Sequence, residues 1–287
     1  MDLVEQFIQE RQYLKNVSPA TVVWYRNAFS TFAQCGLAEP QDGLLNAIKS
    51  RVIELQSPGD LKAISINSRL RVVNAYLRWL QGEGHTATVL TVPRLKEPET
   101  VIQPWSAEQV HAMVSYKPKN RPNQRVHALA LLIADTGLRL SEALALTRSD
   151  VDLDSLLVTV RYGKGGKSRV VPISIVGRKI LFKWMASHSH DLVFCVRSGN
   201  RWTKSNALRS FKRLCGHVGI KGVRTNLHTL RHSFAAAYIR EGGDVFSLQR
   251  MLGHSTLEMT NRYVRSLGID DLKAAHERLS LLGGAGR

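Results

Sequence analysis

The stretch HTLRHSFAAAYIREGGDVFSLQRMLGHSTLEMTNRYV, residues 228–264, decides the reading of the fold. Its apolar residues recur every three to four positions, which predicts helices over about 228–240, 245–252 and 256–264. His228 and Arg231 lie three apart on the first helix, share a face and can converge on one group. His228 and His232 have the spacing of H-E-x-x-H zinc proteases, but Thr229 stands where the general-base glutamate belongs. Neither a metal site nor a cofactor is therefore expected.

Outward from this stretch the same periodicity continues, with one interruption. Ser106 caps a short helix, an apolar segment over 126–134 forms a buried helix that stops at Gly137, and a further helical stretch covers 140–146. The pattern then changes to period two: 156–162 and 168–173 read as strands joined by the Gly163-Lys164-Gly165-Gly166 turn. Helices follow over 174–187 and 204–218, with a short strand over 192–196 between them. A tail helix over 269–283 carries Leu272, Ala275, Leu279 and Leu282 on one face. The G-G-K-S at 165–168 is not a phosphate-binding loop, because Arg161 occupies the position of its first glycine.

The first part of the chain is also helical. Ser18-Pro19 is an N-cap followed by proline at the first helical position, and a second helix covers about 65–80. On that second helix Leu70, Val73, Leu77 and Leu80 form the apolar stripe, while Arg71, Asn74 and Arg78 line another face suited to tracking a DNA backbone. Residues 90–103 bear Pro93 and Pro98, lack periodicity and read as an extended linker. The expected fold class is mainly α with a small antiparallel β-sheet: a helical domain over 1–89, the linker, and a mixed α/β domain over 104–287.

Charge points to the partner. The 287 residues hold 40 Lys and Arg against 23 Asp and Glu, a net charge of +17. Residues 1–103 are nearly balanced, with 11 basic and 10 acidic side chains, so residues 104–287 hold 29 and 13. A surplus this concentrated attracts polyanions and makes binding salt-sensitive. Three scattered cysteines, Cys35, Cys195 and Cys215, make neither a disulfide framework nor a cysteine-built zinc site. With no apolar run approaching about 20 residues and an acidic N-terminus, neither a membrane span nor a secretory signal is expected. The expected setting is the cytoplasm, in association with the nucleoid.

In order, T-G-L-R-L-S-E at 136–142, G-K-G at 163–165, H-T-L-R-H at 228–232, L-G-H-S at 252–255 and Tyr263 resemble the catalytic domain of tyrosine recombinases, the phage integrase family. S-P-A-T at 18–21, before an aromatic-bearing helix, resembles the start of that family's core-binding domain. The resemblance implies that Tyr263 is the nucleophile, that Arg139 and Arg231 hold the scissile phosphate, and that Lys164 is the general acid. His228 and His254 complete the pocket, and Glu142 supports it. Lys167 and Arg169, flanking the hairpin turn, join Arg71, Asn74 and Arg78 as candidate DNA contacts. The expected reaction is cleavage and rejoining of DNA through a 3′-phosphotyrosyl intermediate, without ATP.

The residue types suit that chemistry. A phosphodiester gains charge in its pentacoordinate transition state, so positioned guanidinium groups help most when they are most needed. A tyrosine hydroxyl, with a pKa of about 10, requires a base or a cationic field, and His228 is the candidate base. The resemblance further implies a clamp around double-stranded DNA with inverted half-sites, a homotetramer on two sites, a possible accessory DNA-bending protein, and no separate arm-site domain. Integration, excision or resolution of a mobile element or phage is the leading function. Xer-like dimer resolution is the alternative; a type IB topoisomerase-like enzyme and a non-catalytic regulator are the more distant readings.

Overall fold

The structure is a computed structural model that describes residues 2–39, 42–57, 61–98, 103–161, 168–265 and 268, 269, 271, 273 and 276. The chain divides into two compact units, Met1–Thr100 and Val101–Arg287. No helix among the described residues is long and apolar enough to cross a membrane.

The first unit is built from α1 (Leu3–Tyr13), α2 (Pro19–Thr31), α3 (Leu44–Gln56) and α4 (Ala63–Gly82). Ser18 caps α2 by accepting from the backbone N–H of Thr21, with Pro19 at the first helical position where a missing N–H costs nothing. The core is aromatic: Phe7, Phe29 and Tyr76 meet edge to face at centroid distances of 5.3–5.9 Å. The Tyr76 hydroxyl is buried and donates to the Leu37 carbonyl at 2.6 Å.

Helix α4 also anchors the segment that follows it. Asn74 accepts from the Val92 N–H and donates to the Val92 carbonyl, both at 2.9 Å. One heptad earlier, Asn67 does the same to Leu95, at 2.8 Å each way, and adds a bond to Glu97 at 2.7 Å. An asparagine amide offers the same donor–acceptor pair as a backbone peptide, so these two side chains act as a strand partner for the extended segment. Both ends of the Asn74 amide are thus engaged by Val92, and the start of the expected linker is strapped to α4. Arg71 and Arg78 remain exposed, Arg78 donating to the Asn74 carbonyl.

The second unit surrounds α6 (Arg121–Thr136), whose residues from Val126 to Ile133 are all buried. Asn120 caps α6 and Pro122 sits in its first turn, which explains a start earlier than the apolar run alone suggested. Around it lie α5 (Ala107–Ser115), α7 (Leu140–Ala143), α8 (Ile175–Ala186), α9 (Lys204–Val218), α10 (Leu227–Arg240), α11 (Val245–Leu252) and α12 (Glu258–Val264). An antiparallel sheet runs in the order β1 (Val151–Asp152), β2 (Leu157–Val160), β3 (Arg169–Pro172). Val158 pairs with Val171 and with Val151, placing three valines on the buried face.

The strand expected at 192–196 is present only as two single bridges, Thr147 to Leu192 and Cys195 to Arg201. Val193, Phe194 and Cys195 are buried as a loop beside α8, where the Trp184 indole N–H donates to the Val193 carbonyl at 2.7 Å. Lys164 and Lys167 lie outside the described residues, as does most of the expected tail helix over 269–283.

Replacing Asn74 with alanine strips two buried-edge hydrogen bonds from the Val92 backbone. Urea unfolding of the full chain is expected to show a loss of about 1–3 kcal/mol, against a change within about 0.5 kcal/mol for Arg78→Ala. Equal effects of the two substitutions would remove the strapping role.

Candidate active site

The site forms where the C-terminal end of α6 meets α10 and α11. Gly137 makes this approach possible: its φ of 66° caps α6 in the left-handed region. A Cβ there would come within 2.5 Å of the Phe234 ring and 2.7 Å of Leu252, so both conformation and space demand glycine. The carbonyl of Gly137 then receives Nη1 of Arg231 at 2.5 Å.

Glu142 is the centre of charge. It is 6% exposed and binds two guanidinium groups: Arg139 Nη1 to Oε1 at 2.9 Å, and Arg169 Nη2 to Oε2 at 2.7 Å. Its Oε2 also accepts the Arg139 backbone N–H at 2.8 Å, closing the first turn of α7. Burial pushes the carboxyl pKa upward, but the hydrogen bonds from Arg169 and Arg139 outweigh it and hold the group below the usual glutamate range. Arg139 is further fixed by Nη2 donating to the Gly253 carbonyl at 3.0 Å.

Arg231 is 2% exposed, and its guanidinium is held by carbonyls rather than by a carboxylate. Besides Gly137, its Nη2 donates to Leu252 O at 2.8 Å and to His254 Nε2 at 3.0 Å. Desolvation, together with the nearby Arg139, lowers its pKa to about 10, which leaves it charged at neutral pH. A guanidinium only donates, so His254 Nε2 is the acceptor in this contact. His254 Nδ1 then carries the proton toward Thr260 Oγ1, 2.9 Å away. Three arginines against one glutamate leave a formal +2 around a partly buried point, a receptor for an anion.

Tyr263, on α12, is 6% exposed, and its hydroxyl lies 2.8 Å from Nδ1 of His232. It is close enough to Arg231 to favour that residue's charged form. His228 is exposed one turn before His232, with its ring edge-on at 4.5 Å.

The structure thus brings together Arg139, Glu142, Arg231, His254 and Tyr263, with His228 beside His232. Arg71 and Arg78 belong to the other unit. Arg169 is engaged within the site: its Nε donates to the Met251 carbonyl at 2.8 Å and its other nitrogens to Glu142, leaving the side chain 11% exposed. It braces the site from β3. Sequence reading missed His232 as a partner of the tyrosine, although it stands in the H-T-L-R-H motif and was weighed only as a metal ligand.

Residues 105–268 match the model of the phage integrase family. The chain belongs to that family. A tyrosine recombinase XerA of Thermococcus kodakarensis is 33% identical over 220 residues, covering 76% of each chain. A tyrosine recombinase XerC of Xanthomonas campestris is 32% identical over 274 residues, covering 92% of this chain and 84% of the relative. In fold, the chain resembles the Tn1549 transposon integrase in complex with a circular intermediate DNA, with a TM-score of 0.80 at 19% identity over 97% of this chain and all of that one. As a member of this family the chain is a site-specific recombinase, an enzyme that breaks and rejoins DNA strands.

Removing the central carboxylate by Glu142→Gln leaves Arg139 and Arg169 as neighbouring half-buried cations, at an expected cost of about 2–4 kcal/mol. Because the folded-state pKa is depressed, the stabilisation is present above the unfolded value of about 4.3 and is lost as pH falls through the lower folded value. The gap between wild type and Glu142→Gln in unfolding free energy is expected to stay constant near neutrality and to close in acid. A gap that widened in acid would contradict the arrangement.

Proposed function

We propose that Tyr263 attacks a DNA phosphodiester held by Arg139 and Arg231, giving a 3′-phosphotyrosyl link and a free 5′-hydroxyl. The observation that carries this reading is the convergence of two guanidinium groups, His254 and a buried tyrosine around one net-positive point. In cleavage the Tyr263 Oη–phosphorus bond forms and the bond to the 5′ oxygen breaks. Lys164 supplies the proton to that oxygen, and His228 and His254 complete the pocket, His254 by accepting from Arg231. Ligation is the same step reversed, so bond energy is kept in the link and no nucleotide is consumed. Arginine fits its role because it stays charged and meets two phosphate oxygens at once.

The biological role proposed is integration, excision or resolution of a mobile element or phage. Xer-like resolution of chromosome or plasmid dimers is the second reading, favoured by relatives named XerA and XerC at 32–33% identity. In either case a helical domain over 1–89 and a catalytic domain over 104–287 bind double-stranded DNA in the cytoplasm at the nucleoid. Arg71, Arg78 and Lys167 contact its backbone, and four copies assemble on two sites of inverted half-sites. The apolar stripe of residues 269–283 is suited to docking on a neighbouring copy, and a DNA-bending protein is a possible further partner.

Expressing wild type and Tyr263→Phe in cells that carry the gene's flanking DNA, then denaturing rapidly, tests the reading. Wild type is expected to retain DNA ending at one defined position, and Tyr263→Phe to bind DNA but retain none. An SDS-resistant adduct on the phenylalanine variant would overturn the assignment. Deleting residues 268–287 is expected to abolish synapsis while leaving binding to a single site; unchanged synapsis would refute docking of the tail on a neighbouring copy.

A further inference from the structure

We propose that His232 is the base that takes the proton of Tyr263 during strand cleavage and returns it during ligation. The inference rests on the recombinase reading above and assigns a catalytic role to a residue outside the six expected from the motifs.

Tyr263 Oη and His232 Nδ1 are 2.8 Å apart, within direct proton-transfer reach. Both residues are buried, at 6% and 5% exposure, so bulk water is a poor competitor for that proton. A phenol with a pKa of about 10 is ionised in only about one molecule in a thousand at neutral pH, and so gains most from a base already in contact. Imidazole is that base type, and its unperturbed pKa of about 6.5 lets it accept a proton and release it again.

The position follows from the helix. His228, Arg231 and His232 occupy one turn of α10: Arg231 turns toward Gly137 and Leu252, and His232 turns toward α12 and Tyr263. The neighbouring Arg231 guanidinium favours the phenolate once the proton has moved, which couples phosphate holding to activation of the nucleophile. His228 is exposed and stands edge-on to His232 at 4.5 Å.

The step balances without a further reactant. As Oη bonds to phosphorus, the phenol proton passes to Nδ1 of His232, giving an imidazolium, and the 5′ oxygen leaves with its proton from Lys164. In ligation the 5′-hydroxyl attacks, its proton returns to Lys164, and His232 gives its proton back to the departing tyrosine oxygen.

A nicked duplex bearing the site recovered from the wild-type adduct provides the assay. His232→Gln keeps a hydrogen-bond acceptor near the hydroxyl but offers no comparable base, and the rate of adduct formation is expected to fall about 100-fold. Incorporating at position 263 a fluorinated tyrosine that is ionised at neutral pH is expected to restore at least about tenfold of this loss in the His232→Gln protein, and to help the wild type much less. A wild-type rate in His232→Gln, or a slow rate not rescued by fluorination, would overturn the base role and leave His232 a positioning residue at most. If His232→Gln fails to fold or to bind DNA, the solvent deuterium effect on cleavage decides. With single-turnover chemistry it is expected to shrink when the fluorinated tyrosine replaces Tyr263 in otherwise wild-type protein, and an unchanged effect would overturn the proposal. Absence of any adduct from the wild type would count against the recombinase reading itself and is thereby distinguishable.

Discussion

One buried carboxylate organises the site. Glu142 takes a guanidinium from its own turn, Arg139, and another from the sheet, Arg169, while capping the backbone of α7. Without it, two cations would face each other across a desolvated gap at the end of α6, a costly arrangement. With it, Arg139 is aimed, β3 is tied to α7, and Arg169 reaches on to the carbonyl of Met251 in α11. The carbonyl ends of α6 and α11 complete the frame, because Gly137 and Leu252 hold Arg231. The receptor is cationic, yet each cation is fixed before any phosphate arrives, which is the preorganisation that electrostatic catalysis needs.

The glycines that end α6 and α11 serve the same frame. Gly137 lets α6 close on Phe234 and Leu252, and Gly253, at a φ of 63°, presents its carbonyl to Arg139 with the Arg169 guanidinium packed against its Cα. A side chain at Gly137 would press α6 away from α10 and α11, and one at Gly253 would crowd the Arg169 guanidinium. Packing and electrostatics therefore meet at the same few atoms.

Local signals made much of this legible in the sequence. Ser18, Ser106 and Thr203 cap helices where the apolar periodicity begins, and α9 and α11 run over the spans expected from their stripes. The segment at 192–196 misled because a buried apolar run looks the same in a strand and in a loop held by single bridges. The tertiary roles of Asn74 and Arg169 were hidden for a shared reason. Their partners lie 18 and 27 residues away, so side chains that read locally as a polar surface are engaged by tertiary hydrogen bonds. His232 was obscured differently: its partner, Tyr263, is 31 residues on, and only the packing of α12 against α10 brings them together.

The most direct test of the account is to identify the atom that carries the DNA. The wild-type adduct would be trimmed with nuclease, digested with protease and sequenced by mass spectrometry. The account predicts a nucleotide mass on Tyr263 alone, joined through a 3′ phosphate. A nucleotide on any other residue, or a link through a 5′ phosphate, would contradict it.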